Sequence, residues 1–329
     1  MRTPNAPVFI VGVNGSGTTM LLDHLNHHPS LYGFRLETKL LPYYLQRLPR
    51  YGDLGRDANY LKLWNDMRSA FPFWRVNLHR PVPLPIDWRS GPRGIARIFD
   101  YLMGFFAVQE NKMRWCEKTP MYLQHMLAIG REFETAQFIH VIRDGRDCAA
   151  SFDRRWGYNH RSTIYRWKKS IEDGRRQGKA LGERYMEVCY ENFTDNPEQG
   201  MRTVCKFLSL PFEAEILKSS RYRPRSTGNV SPHIVPNRGG YRTFFNAREI
   251  RAMELIAGRQ LQSLGYALGY SPGNEDPPAL LLTFWHCLSW VKNGMRLVVN
   301  AFRSKKSSPI RLIYSRVRNA IQQFHTNRY

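Results

Sequence analysis

The chain has 329 residues and a formal net charge of +22, from 49 Lys and Arg against 27 Asp and Glu. Hydrophobic residues make up 42% of it, which supplies a core and excludes global disorder. The five cysteines are scattered and form no Cys-x-x-Cys pair, which excludes a disulfide framework and disfavours a cysteine zinc site. A charge this positive favours phosphate, nucleic acid, an acidic polymer or an anionic membrane as binding partner.

Apolar runs alternate with helical patterns along the first 270 residues. Strands are predicted at 8–13, 138–142 and 185–190. Helices are predicted at 19–28, 95–113, 121–133, after 146, and at 197–208. This alternation indicates an α/β fold with a mostly parallel sheet, in which ligands bind at the carboxyl ends of the strands.

A break in composition divides the chain near its C-terminal end. We predict a domain over 1–270, a Pro- and Gly-rich linker at 271–278, and a basic amphipathic helical extension over 279–329. From Pro277 onward there are nine Lys and Arg and no acidic residue. Such a helix either binds an anionic membrane or a partner, or packs its apolar face on the domain; the sequence leaves both open.

No targeting or membrane-spanning segment is recognisable. The apolar stretch at 8–13 is too short for a signal peptide, and the apolar run at 279–291 is shorter than the roughly 18–20 residues of a transmembrane helix. We expect a cytoplasmic protein, peripherally associated with a membrane if the basic extension binds one.

The segment Gly12–Thr19 is the most informative in the sequence. It follows a buried strand and opens a helix, so its glycines let backbone N–H groups curl around an anion, beside the hydroxyls of Ser16, Thr18 and Thr19. The spacing resembles an ATP-binding P-loop, but Thr18 stands where that loop has lysine, and no apolar strand ends in an aspartate suited to magnesium. A magnesium-dependent NTPase is therefore disfavoured.

This turn and the segment Phe138-Ile-His-Val-Ile-Arg-Asp-Gly-Arg-Asp-Cys-Ala-Ala-Ser151 resemble the two nucleotide-binding signatures of sulfotransferases. The resemblance covers about residues 7–270 and leans towards the tyrosylprotein and carbohydrate branches. It implies a P-loop NTPase-like parallel sheet flanked by helices. It also implies 3′-phosphoadenosine 5′-phosphosulfate (PAPS) as donor, with no metal.

The resemblance assigns nucleotide-binding roles residue by residue. The 5′-phosphosulfate would lie in the loop, and Arg143 and Ser151 would hold the 3′-phosphate. Tyr190 would lie near the nucleotide, and Arg238 and Gly239 would add contacts to the 3′-phosphate. The loop residues concerned are Asn14, Gly15, Ser16, Gly17, Thr18 and Thr19.

The same resemblance implies two catalytic residues. Glu37, in Leu36-Glu-Thr-Lys, would take the proton of the acceptor hydroxyl. Lys118, in Cys-Glu-Lys-Thr-Pro120, would neutralise charge on the leaving group. Most relatives have Lys or Arg where this chain has Gly15, so either Lys118 or Lys39 compensates or the activity is weak or altered.

The sequence leaves some features open. His125, His140 or His233 could serve as base instead of Glu37. His24 and His28 have metal-ligand spacing but no His-Glu-x-x-His pattern, so we expect no metal there. An aromatic group could line an acceptor pocket or form a satellite core; its members are Trp64, Phe71, Phe73, Trp74 and Trp88.

The predicted function is sulfuryl transfer from PAPS to a hydroxyl on a glycan, peptide or small molecule. A nucleotide kinase or NTPase with a degenerate P-loop is the first alternative. A non-catalytic protein whose basic surface binds nucleic acid or a membrane is the second, although nucleic acid is disfavoured as partner of the enzyme.

Overall fold

The computed structural model describes residues 6–71, 82–218 and 238–303. The chain forms two compact units: Met1–Asp144 with Lys169–Arg238, and Gly145–Lys168 with Gly239–Tyr329. The predicted linker at 271–278 lies within the second unit, where the N–H of Gly273 donates to the carbonyl of Glu254 at 3.1 Å. Its role as a domain boundary stays a prediction.

A parallel sheet of five strands organises the first unit. The strands are β1 (Val8–Gly12), β2 (Leu31–Phe34), β3 (Arg114–Lys118), β4 (Gln137–Ile142) and β5 (Tyr185–Cys189). Their order is β2-β3-β1-β4-β5, and every neighbouring pair is parallel. The predicted α/β class with a parallel sheet is confirmed.

Twelve α-helices occur in the described residues. In the first unit are α1 (Thr18–Leu25), α2 (Leu41–Arg47), α3 (Asp57–Ala70), α4 (Ile95–Gln109), α5 (Met126–Glu132), α8 (Tyr190–Asp195) and α9 (Pro197–Leu208). In the second are α6 (Gly145–Trp156), α10 (Tyr241–Phe244), α11 (Ala247–Ser263) and α12 (Ala279–Arg303), while α7 (His160–Leu181) begins in the second unit and ends in the first. None of the helices in the described residues combines the length and apolar character needed to cross a bilayer.

Each face of the sheet has its own core. Since successive side chains of a strand point to opposite faces, Phe9 and Val11 of β1 join one buried cluster and Val8 and Ile10 join the other. The first cluster is completed by residues of α3 and α4, the second by residues of α1 and α9. A parallel sheet covered on both faces leaves only the strand ends open for binding.

The structure corrects the predicted helix at 95–113. α4 ends at Gln109 because Asn111 adopts a left-handed conformation (φ 53°) and the N–H of Lys112 turns back to the carbonyl of Ala107 at 2.8 Å. The predicted helix at 121–133 is likewise divided, into a 3₁₀ helix at Pro120–His125 and α5.

The sequence analysis predicts no helix between residues 43 and 93, but α3 lies in this region. Tyr60, Leu63, Trp64 and Met67 recur at helical spacing and bury one face of α3 in the first core cluster. Phe71 and Trp88 are buried in the same cluster. These members of the aromatic group are therefore core residues, and Phe73 and Trp74 lie outside the described residues.

Candidate active site at the strand ends

All five parallel strands carry a predicted site residue at or just beyond their carboxyl ends. β1 leads into the glycine loop, β2 into the segment of Glu37, and β3 ends at Lys118. β4 is followed by Arg143, and β5 by Tyr190. Because the strands are parallel, these residues lie along the same edge of the sheet.

The loop from Gly12 to Gly17 requires glycine at both of its ends. Gly12 and Gly17 have φ of 154° and 103°, values that residues with a side chain rarely adopt. A Cβ on Gly12 would lie 2.6 Å from the carbonyl oxygen of Val141, and a Cβ on Gly17 would lie 2.4 Å from the ring of Tyr190. The loop is thus held tightly between β4 and the residue that follows β5.

The hydroxyl of Ser16 is buried at the base of this loop. Only 1% of the residue is exposed, and its Oγ has no hydrogen-bond partner among the described residues. α1 starts two residues later with no side-chain cap, so its first N–H groups and the positive end of its dipole are also available. A phosphate or sulfate oxygen fits these donors, since a buried hydroxyl left unpaired is costly.

Arg143 follows β4 and contacts one residue after β1 and one residue after β5. Its guanidinium, almost fully buried, donates from Nη1 to the carbonyl of Gly15 at 2.9 Å and lies 4.3 Å from the centre of the Tyr190 ring. The cation therefore lies against the loop, at the residue that precedes Ser16.

Lys118 and Glu37 form an ion pair at the other end of this edge. Nζ of the nearly buried Lys118 is 2.8 Å from Oε1 of Glu37, and Nζ of Lys39 is 3.6 Å from Oε2 of the same carboxylate. Both lysines proposed to compensate for Gly15 thus converge on Glu37. Burial raises the pKa of Asp23 on α1, against the smaller opposing effects of Arg35, His27 and Lys118.

A buried carboxylate, which the sequence analysis missed, fixes this pair. Oε1 of Glu117 accepts hydrogen bonds from the N–H of Thr38 at 3.1 Å, from Oγ1 of Thr38 at 3.0 Å, and from Oγ1 of Thr119. Oγ1 of Thr38 also pairs with the hydroxyl of Tyr122 at 2.7 Å. Because Thr38 stands between Glu37 and Lys39, this network sets the position of the segment that carries Glu37. Burial raises the pKa of Glu117 to about 7.

The remaining predicted contacts to the nucleotide stay predictions. Arg238 is exposed and pairs with Asp195 at 2.6 Å. In the second unit, Ser151 lies on α6 and the N–H of Gly239 donates to Oδ2 of Asp147 at 2.8 Å. In the loop, Thr18 is buried while Asn14 and Thr19 are exposed.

Three of the histidines considered as a base or as metal ligands have hydrogen-bond partners within the protein. His140 is fully buried, its Nδ1 pairs with the hydroxyl of Tyr185 at 2.6 Å, and burial lowers its pKa to about 3. Nδ1 of His24 and Nε2 of His28 bond the carbonyls of Ile216 and Pro211. Within 6–71, 82–218 and 238–303, no cluster of three or more potential ligands suits a metal. His233 lies outside the described residues.

A family model described as the sulfotransferase family matches residues 7–214. The chain belongs to the sulfotransferase family. This confirms the resemblance drawn from the glycine turn and the segment of Arg143. The match also includes the segments of Glu37 and Lys118.

Relatives within the sulfotransferase family include named tyrosylprotein enzymes. Protein-tyrosine sulfotransferase 1 of Danio rerio is 26% identical over 217 residues, 64% of this chain and 55% of the relative. Protein-tyrosine sulfotransferase of Drosophila melanogaster is 25% identical over 230 residues, 67% of this chain and 41% of the relative. The chain thus spans about half the length of the curated relatives it matches.

A solved sulfotransferase domain has a similar fold. The sulfotransferase domain from the Synechococcus PCC 7002 olefin synthase superposes with a TM-score of 0.53 at 23% identity, covering 82% of this chain and 97% of that domain. The predicted P-loop-like architecture is confirmed by this likeness.

Proposed function

We propose that this chain is a PAPS-dependent sulfotransferase that moves the sulfuryl group to an acceptor hydroxyl. One observation carries the proposal: the buried hydroxyl of Ser16, which has no partner in the described part of the chain, shares one edge of the sheet with the guanidinium of Arg143 and the Glu37–Lys118 pair. An anion-binding loop beside a carboxylate and a lysine is what sulfuryl transfer to a hydroxyl requires.

The loop and Arg143 hold the donor at its two anionic ends. The hydroxyl of Ser16 and the N-terminal amides of α1 bind the 5′-phosphosulfate. Arg143, whose guanidinium contacts the Gly15 carbonyl and the Tyr190 ring, binds the 3′-phosphate. PAPS supplies an activated sulfuryl group whose bond to the bridging oxygen can break. Holding both ends aligns that bond with the acceptor.

Glu37 takes the proton of the acceptor, and Lys118 stabilises the negative charge that develops on the leaving group. Glu37 accepts the proton of the acceptor hydroxyl while the oxygen of that hydroxyl forms a bond to sulfur. The bond between sulfur and the bridging oxygen breaks, and Lys118 donates a hydrogen bond to that oxygen. Lys118 donates a hydrogen bond to Glu37 in the structure. When Lys118 donates to the bridging oxygen of the donor instead, it gives up this bond to Glu37. This change frees an oxygen of Glu37 for the acceptor.

A protein tyrosine is the acceptor we propose to test first. Support comes from the names of the curated relatives, which are protein-tyrosine sulfotransferases, and from the net charge of +22, which suits an anionic peptide. Glycans and small phenols are the comparison acceptors, since their hydroxyls allow the same displacement.

Two measurements test the proposal. Thermal unfolding with 3′-phosphoadenosine 5′-phosphate should raise the melting temperature, whereas Mg-ATP should not, because only a ligand of the folded state stabilises it. Incubation with donor labelled in its sulfuryl group should then label a tyrosine peptide. Stabilisation by Mg-ATP alone would favour a kinase, and stabilisation by neither nucleotide would contradict the proposal.

A further inference from the structure

Lys39 adopts a left-handed backbone conformation, which is unfavourable for a residue with a long side chain. Its φ is 57°, and among the described residues only Asn111 and Ser209 share a positive φ without being glycine. Those two lie at the C-terminal ends of α4 and α9, where this conformation commonly ends a helix. Lys39 lies instead between Glu37 and α2, the helix that begins at Leu41. Contacts with the surrounding chain must therefore hold it in this conformation.

The hydroxyl of Tyr122 bonds to the chain on both sides of Lys39. It accepts the N–H of Leu41 at 3.2 Å and pairs with Oγ1 of Thr38 at 2.7 Å. Since Thr38 donates its own hydroxyl hydrogen to Glu117, the hydrogen between the other two oxygens comes from Tyr122. The N–H of Leu41 is one of the first amides of α2, which have no partner within the helix. These bonds therefore fix the backbone directly before Lys39 and two residues after it.

Tyr122 is itself held firmly in the core. Its side chain is fully buried, and its ring packs edge-on against Phe9 with the ring centres 6.2 Å apart. Burial raises the pKa of Tyr122 well above its ordinary value, so the hydroxyl keeps its hydrogen at neutral pH. Tyr122 lies in the 3₁₀ helix at Pro120–His125, four residues after Lys118. One segment thus carries both the lysine that pairs with Glu37 and the hydroxyl that fixes the chain around Lys39.

We propose that Tyr122 is a positioning residue for the proposed base. By fixing the chain on both sides of Lys39, its hydroxyl holds the left-handed conformation there, and the segment before Lys39 then directs the Glu37 carboxylate to Lys118. The role of Tyr122 is to hold Glu37 in place rather than to contact the acceptor. The catalytic part of this inference rests on the function proposed above, whereas the positioning of Glu37 can be measured without it.

Tyr122→Phe tests the inference directly, because it removes the hydroxyl and keeps the ring in the core. We expect kcat for sulfuryl transfer to fall at least about tenfold, with affinity for 3′-phosphoadenosine 5′-phosphate within about threefold of the wild type, since rate falls steeply when a reacting group is misplaced. Tyr44→Phe is the matched control. Its buried hydroxyl, on α2, donates to the carbonyl of Asp66 at 2.8 Å, and its loss should leave kcat unchanged. A normal kcat in Tyr122→Phe, or an equal loss in Tyr44→Phe, would overturn the inference.

Two pairs of variants separate the hydrogen bonds from a general loss of packing. Thr38→Ser keeps the hydroxyl that Thr38→Val removes, so it should retain at least about fivefold more activity. In the Tyr122→Phe background, Lys39→Gly should be at least about fivefold more active than Lys39→Ala, because both lack the ammonium but only glycine adopts the left-handed conformation freely. Equal activity within either pair would contradict the proposed role of Tyr122.

A crystal structure of Tyr122→Phe gives a readout that does not depend on activity. We expect Lys39 to leave the region of positive φ, and the distance from Nζ of Lys118 to Oε1 of Glu37 to rise from 2.8 Å to beyond about 4 Å, the limit of an ion pair. An unchanged Lys39 conformation or an unchanged ion pair would overturn the inference. If the wild type transfers no sulfuryl group, the proposed function fails, and this structure alone then decides whether Tyr122 positions Glu37.

Discussion

The ammonium of Lys118 donates a hydrogen bond to Oε1 of Glu37 at 2.8 Å. The lysine is almost fully buried and the carboxylate is partly exposed, so Glu37 is the more accessible residue of the pair. The proposed base and the proposed electrostatic acid are therefore in direct contact with each other. The proposed reaction requires them to separate, and this requirement makes the role of each residue testable.

Glu37→Gln should lower kcat by about 10²–10⁴-fold, the usual contribution of a positioned general base. The amide keeps the size of the side chain but cannot take the acceptor proton. Calorimetry should give an affinity for 3′-phosphoadenosine 5′-phosphate within a few-fold of the wild type. Glu134→Gln, an exposed site between α5 and β4, is the matched control and should leave both quantities unchanged. Normal turnover in Glu37→Gln would show that another group is the base.

Lys118→Met should lower kcat by about 10²–10³-fold, since a preorganised donor at a developing charge has about this effect. Lys39→Met should cost less than about tenfold, because Lys39 is more exposed and its ammonium is 3.6 Å from Glu37. Steady-state kinetics of the two variants decides which lysine compensates for Gly15. A larger loss in Lys39→Met than in Lys118→Met would reverse the assignment.

Gly17→Ala should destabilise the protein by about 2–4 kcal/mol and weaken nucleotide binding. The new methyl group would lie 2.4 Å from the Tyr190 ring in a backbone conformation that disfavours it. Gly182→Ala is the control: it also has a positive φ (58°), but nothing lies within 4 Å of its Cβ position. It should cost only about 1–2 kcal/mol. Urea unfolding of both variants measures the difference, and equal losses would show that Tyr190 does not constrain the loop.

Glu117 should make the protein less stable as pH rises. Burial raises the pKa of Glu117 to about 7 from an ordinary value of 4.5, so the folded state binds a proton that the unfolded state has released between these values. Its contribution to the free energy of unfolding therefore falls as pH rises through this window. In Glu117→Gln that contribution is absent, so the stability of the wild type relative to the variant should fall by about 2–3 kcal/mol from pH 5 to pH 8. Parallel stability curves for the two proteins would contradict this.

The strands that the sequence predicts are those in which apolar residues predominate. β1 is apolar throughout, and β4 and β5 carry few polar residues, namely Gln137, His140 and Glu187. β3, by contrast, carries three charged residues that are nonetheless buried, Arg114, Glu117 and Lys118. Arg114 is accommodated because it donates to the carbonyls of Ala6 and Leu208, and Glu117 because it accepts from two threonines. Hydropathy does not reveal such partners, because they come from distant parts of the chain.

The sequence pattern does not reveal β2, for a different reason. It has four residues and contains Gly33, which a strand pattern disfavours. The glycine is needed there because a Cβ would lie 2.9 Å from Cβ of Asn26, whose Oδ1 accepts the N–H of Gly33 at 2.7 Å. The close contact between the end of α1 and β2 therefore requires glycine at position 33, and this glycine makes the strand hard to recognise in the sequence.

The same contrast applies to the site. The loop could be predicted because its function resides in local backbone geometry, which a glycine pattern encodes. The surroundings of Glu37 could not be predicted in the same way. Lys118 pairs with Glu37 and Glu117 holds the adjacent Thr38, but both are about 80 residues away and come close only through the pairing of β2 with β3. Motif resemblance indicated Lys118 but not Glu117, whose role depends on the fold.

A crystal structure of the chain with 3′-phosphoadenosine 5′-phosphate tests the central claim most directly. We expect the 5′-phosphate on the Ser16 hydroxyl and the first amides of α1, and the 3′-phosphate of the same molecule on the Arg143 guanidinium. A nucleotide bound away from the carboxyl ends of the strands, or bound with Arg143 contacting no phosphate, would contradict it.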